Sequence, residues 1–87
     1  MIDADPSGAL RWVQPRAEAK AGRVRVTLRN RSGVAHDLRL FGRGVDAATP
    51  TIQEGSASVA VALEPGTYRY VCEVPGHDSM TGALTVE

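Results

Sequence analysis

The nine residues CEVPGHDSM, 72 to 80, hold the only cysteine of the chain, one of its two histidines and the only methionine besides Met1. A thiolate, an imidazole and a thioether are soft or borderline metal donors, and a turn stiffened by Pro75 and bent by Gly76 can bring all three to one point. Taken singly, each has an ordinary reading. A lone Cys on a strand is usually a small buried hydrophobe, a Met fills a core gap, and a His is more often packed or solvated than ligating. Their arrangement favours the metal. A fourth donor must come from elsewhere, and His36 is the other histidine. It lies in AHDLRL on the face shared with Leu38 and Leu40, where burying an imidazole is costly unless it is hydrogen-bonded or ligating.

Two imidazoles, one thiolate and one thioether form a distinctive set. Structural zinc sites draw on several Cys and His and rarely on Met, whereas a His, His, Cys plane with a weak axial Met is the blue-copper arrangement. Thiolate and thioether favour Cu(I) and imidazole accepts both states, so a rigid frame carrying these donors suits one-electron exchange.

The elements that must hold such a frame have a period of two. In GRVRVTLRN, Val24, Val26 and Leu28 share one face and Arg23, Arg25, Thr27 and Arg29 the other. AHDLRL sets His36, Leu38 and Leu40 against Asp37 and Arg39. SVAVAL, TYRYVC and GALTV repeat the pattern, with Tyr68, Tyr70 and Cys72 on one face of the fourth run. A further strand is expected from Ala9 to Val13, carrying Leu10 and Trp12 into the core. Turn signals such as Ser32-Gly33, Pro65-Gly66 and Pro75-Gly76 separate these runs, and short strands punctuated this often indicate an all-β antiparallel sandwich or barrel. Residues 43 to 51 fit a loop, a broken edge strand or a short helical turn. In LEPGTYRY, Tyr68 is the candidate for a tyrosine corner, an ordinary core tyrosine being the other reading.

At 87 residues the chain is one domain, residues 1–87, hiding only about 60 to 65 per cent of the surface its unfolded form exposes, so a metal would usefully add stability. Ten basic residues, all but one of them Arg, balance ten acidic ones. No net field points to nucleic acid or an anionic membrane. The Arg23, Arg25, Arg29 and Arg31 row reads as a solvated sheet face rather than a docking stripe, and Asp3 and Asp5 as a frayed terminus. No run approaches the roughly 18 apolar residues needed to cross a bilayer, and MIDADPSGALRW has neither a basic nor an apolar signal region. One cysteine forms no internal disulfide.

The chain resembles the cupredoxins, small type 1 blue copper proteins, over nearly its whole length. NRSGVAHDL is similar to the segment that supplies their first His, LEPGTYRYVC to the strand leading to the Cys, and CEVPGHDSMTGALTV to the ligand loop and last strand. The resemblance implies an antiparallel Greek-key β-sandwich binding one type 1 copper ion near one end. His36, Cys72 and His77 would be equatorial ligands, both imidazoles through Nδ1, and Met80 the axial one. It also implies a monomer, export from the cytoplasm to the periplasm or outer membrane face, and redox partners docking at Val74, Pro75 and Gly76 beside His77. Two departures stand out. Two residues separate His77 from Met80, a short step that bears on the axial bond, and Asp37 stands where the family carries an Asn whose amide helps tie the ligand segments together. A carboxylate cannot donate as that amide does. Asp37, with Glu73 near it, is therefore expected to favour Cu(II) and lower the potential, a solvated surface Asp being the alternative.

The function these residues imply is one-electron carriage by copper cycling between Cu(II) and Cu(I). A copper delivery or sensing domain is the alternative, and a metal-free sandwich the third. An enzyme is disfavoured, because both histidines are used and four protein ligands leave no open position for substrate.

Overall fold

The computed structural model describes residues 2–74, 76 and 79–87. These form β1 (Ile2–Asp3), β2 (Arg16–Ala19), β3 (Gly22–Asn30), β4 (Arg39–Gly42), β5 (Val45–Ala48), β6 (Gly55–Leu63), β7 (Gly66–Val71) and β8 (Thr81–Val86), with no helix among them. The strands make two sheets, ordered β1-β3-β6 and β2-β8-β7-β4-β5. Connections from β3 to β4, β5 to β6 and β6 to β7 cross between the sheets, as a Greek-key sandwich requires. Among the described residues no helix is long and apolar enough to cross a membrane.

The period-two runs became strands with the expected faces inward, except that AHDLRL forms a strand only from Arg39 onward, His36 making an isolated bridge to Ile52. In β3, Val26 and Leu28 are buried while Arg23 and Arg25 are exposed. Leu40, Tyr68 and Tyr70, and Leu84 and Val86 fill the interior from the other sheet, joined by Leu38 just before β4. Tyr68 makes the corner: its hydroxyl donates to Glu64 O at 2.8 Å and accepts from Glu64 N–H at 3.0 Å. β5 resolves the irregular stretch as an edge strand. It is joined to β4 by Arg43-Gly44, both at positive φ (48° and 81°), as a two-residue hairpin turn of the right twist requires.

The N-terminal third departs from the expected pattern. Four pairings are antiparallel, but β1 lies parallel to β3 and β2 parallel to β8. The expected strand over residues 9 to 13 is a single bridge, Trp12 to Ala4, because Pro6 and Pro15 remove ladder donors on either side. Trp12 is nevertheless buried, its ring edge-on to Tyr70 with centroids 6.0 Å apart. The terminus is not frayed. Asp3 pairs with Arg29 and with Gln14, and Asp5 is buried with its carboxylate held by Ser7 N–H at 2.9 Å and Arg11 at 2.6 Å. Asp3 is tied by partners distant in sequence and Asp5 by near neighbours, and Arg29 is thereby not a purely solvated member of its row.

Candidate metal centre

His36 follows a turn that the buried Asn30 builds at the end of β3. The Asn30 amide donates to Val34 O at 2.8 Å and to Ile52 O at 2.7 Å, and its oxygen accepts Ser32 N–H and Oγ at 3.1 and 2.7 Å. His36 then exchanges both backbone hydrogen bonds with Ile52, at 2.9 and 2.8 Å. The result is an imidazole fixed in the interior with no exposed surface. Asn30 is the functional residue that sequence reading missed. A polar residue continuing the period-two pattern of β3 onto its buried face was the signal available.

Cys72 follows the last residue of β7, on the inward face as the alternation from Tyr68 and Tyr70 dictates, and is buried. Its N–H reaches Met80 O at 3.3 Å, which closes the loop at its base. Cys72 Sγ lies 3.8 Å from His36 Nδ1. Backbone N–H groups of Asp37 and Val74 are also directed at the sulfur. Burial pushes the Cys72 thiol up, those two N–H groups pull it down, and the Asp37 charge pushes it up again. Met80 is fully buried. Its neighbour Ser79 donates from Oγ to Leu10 O at 2.6 Å, so the loop is tied to the N-terminal segment as well.

Asp37 is half-buried, and its Oδ1 accepts the Glu73 N–H at 2.6 Å. The tie between the His36 and Cys72 segments therefore exists with the Asp37 carboxylate as acceptor, and Asp37 is not simply solvated. Glu73 is exposed, and its carboxylate meets Arg39. Val74 packs against the core and Gly76 is exposed. His77, Pro75 and Asp78 lie outside the described residues. Among those described, no three His, Cys, Asp or Glu side chains converge on one point. The convergent pair is His36 and Cys72, with Met80 buried in the same core and joined to Cys72 through the backbone.

A two-sheet β-sandwich whose buried thiol and imidazole meet across the ends of two strands is a fold with solved counterparts. Similar structures include auracyanin B, with 29% identity and a TM-score of 0.82, covering 99% of this chain and 86% of that one. They include an oxidised amicyanin variant, 27% identical with a TM-score of 0.75 over 99% of this chain and 79% of that one. A reduced Cu(I) form of another amicyanin variant matches at 25% identity and a TM-score of 0.75 over the same shares. Auracyanin and amicyanin are cupredoxins, and this chain has the cupredoxin fold over nearly its full length. No protein-family model matches the chain, and no curated protein matches it by sequence.

Proposed function

We propose that the chain is a type 1 copper protein that carries single electrons between redox partners. The observation that carries this reading is the 3.8 Å approach of His36 Nδ1 to Cys72 Sγ in a buried setting. Two donors at bond lengths of about 2.0 and 2.3 Å from one ion, opened by about 120°, stand about 3.7 Å apart. The pair fits a shared metal in a trigonal plane. The similarity to amicyanin, solved in a Cu(I) form, supports copper as that metal.

In this reading His36 and Cys72 hold two equatorial positions, His77 the third and Met80 the axial one. Bound copper would supply the one-electron Cu(II)/Cu(I) couple. The protein's part is to keep the donors still. Asn30 and the Ile52 bridge fix the imidazole, the Asp37 and Val74 N–H groups fix the sulfur, and Leu38, Leu40 and Tyr70 keep water out of the surrounding core. Ligands that do not rearrange between oxidation states lower the barrier to exchange. Partners dock beside His77 on Val74, Pro75 and Gly76. The chain works as a monomer outside the cytoplasm, in line with its family resemblance, and is not itself an enzyme. A delivery or sensing role is less well supported, because burial of His36 and Cys72 opposes ready exchange of the metal.

Addition of Cu(II) to the metal-free protein tests the reading. An intense blue thiolate-to-copper absorption is expected, bleached by reduction and missing in Cys72→Ser. Copper uptake without that absorption, or rapid loss to a mild chelator, counts against it.

A further inference from the structure

A chain of contacts beside Cys72 joins three segments of the fold. The Arg39 guanidinium on β4 forks onto both carboxylate oxygens of Asp46 on β5, at 2.7 and 2.5 Å. The same guanidinium donates to the Glu73 carboxylate. Glu73 in turn donates its N–H to Asp37 Oδ1 at 2.6 Å. Asp37 adjoins His36 and Glu73 adjoins Cys72, so the last two members of this chain abut the imidazole and thiol pair.

The position of Arg39 explains why it can do this. Its backbone is paired with Ala48 of β5 on one side and Val71 of β7 on the other, which anchors it mid-sheet. The ladder between β4 and β7 ends at that pair, and Glu73 lies two residues beyond it. Arg39 carries the connection across the gap by its side chain. An exposed ion pair alone is worth little. A guanidinium already fixed by a bidentate carboxylate has less freedom left to lose when it takes a second one.

We infer that Arg39 is a positioning residue for the Cys72 sulfur: by holding Glu73, whose N–H is bound by Asp37 Oδ1, it fixes the turn after Cys72 against the segment that follows His36. Hydrogen bonding around a ligating cysteine sulfur tunes the potential of such a site. N–H donation draws electron density from the sulfur and favours Cu(I), so loosening the turn favours Cu(II). The inference rests on the copper reading for its electronic consequence, but not for its structural one.

Arg39→Lys separates position from charge, since lysine keeps the positive charge but has no fork. Arg39→Met removes both. In the metal-free protein, both variants should speed amide exchange at Glu73 and Val74 by about tenfold, with the β3 core amides unchanged. In the copper-loaded protein, both should lower the reduction potential by about a tenfold change in the Cu(II) to Cu(I) ratio, or about 59 mV for one electron. Parental exchange and potential in Arg39→Lys would show that charge alone matters and overturn the inference. So would faster exchange with an unmoved potential, or no change in either variant. If the chain took up no copper, the copper reading would fall while the amide exchange still decided whether Arg39 holds the turn.

Discussion

Cys72 Sγ and His36 Nδ1 stand 3.8 Å apart across a sequence separation of 36 residues. Their meeting follows from face alternation beyond the end of a ladder rather than from direct pairing. β4 pairs with β7 so that Leu40 faces Tyr70, and continuing the inward alternation by four residues back along one chain and two forward along the other reaches His36 and Cys72. Backbone contacts then finish the placement, with Ile52 holding His36 and Met80 holding Cys72.

Asp37 places a negative charge beside that sulfur while accepting the Glu73 N–H. Asp37→Asn keeps an acceptor oxygen and removes the charge, so the reduction potential of the copper-loaded protein should rise. The expected size is on the order of 1 kcal/mol, several-fold in the Cu(II) to Cu(I) ratio. Voltammetry of the two proteins under one buffer condition checks it, and an unchanged or lower potential refutes the electrostatic role.

Tyr68→Phe should destabilise the fold by about 1 to 3 kcal/mol, because the corner's Glu64 N–H and C=O both lose their partner. Urea unfolding followed by fluorescence gives the number. A midpoint equal to the parent's would mean that water replaces the hydroxyl at no cost.

Gly82 stands directly under the Tyr70 ring. A Cβ there would lie 2.2 Å from Cε2 and 2.3 Å from Cζ, and the ring is pinned by its hydroxyl donating to Gln14 O at 2.5 Å. Gly82→Ala should therefore cost about 1 to 3 kcal/mol through overpacking. Combining it with Tyr70→Leu should cost less than the sum of the two changes. Strict additivity in thermal melts would show that the contact is not the cause.

How much of this was legible in the sequence depends on where each residue's partners lie. β3, β6, β7 and β8 were legible because valine, leucine or tyrosine mark their inner faces with a strict period of two. β2 was not, since RAEA presents only Ala17 and Ala19 to the interior and pairs with the far end of the chain. Asp3 was misread for the same reason, since Arg29 and Gln14 are brought to it by folding, whereas Asp5 was misread although its anchors Ser7 and Arg11 are near in sequence. The pairing of His36 with Cys72 was expected from donor chemistry and face alternation. The structural role of Asn30 was legible only in part: a polar residue on the inner face of β3 was visible, but the Ile52 carbonyl that takes its amide is brought there by folding.

Asp5 gives the acid limb of stability. Hydrogen bonds from Ser7, and then from Arg11, lower its carboxyl from 3.8 to about 2. A folded-state value below the unfolded one means that its contribution is complete above about 4 and is lost as pH falls through about 2. Thermal melts between pH 5 and pH 2 should show a slope that Asp5→Asn flattens, by an amount that added salt reduces. An identical acid profile in the variant would assign the slope to other carboxylates, of which Asp3 and Asp46 are also held low by Arg29 and Arg39.

The electron paramagnetic resonance spectrum of the Cu(II)-loaded protein tests the central claim most directly, because hyperfine splitting reports how far the unpaired electron is delocalised onto the Cys72 sulfur. A thiolate held in a trigonal plane with His36 and His77 predicts an unusually small parallel splitting at one copper per chain, lost in Cys72→Ser. The wide splitting of ordinary tetragonal Cu(II), unchanged by that substitution, would contradict it.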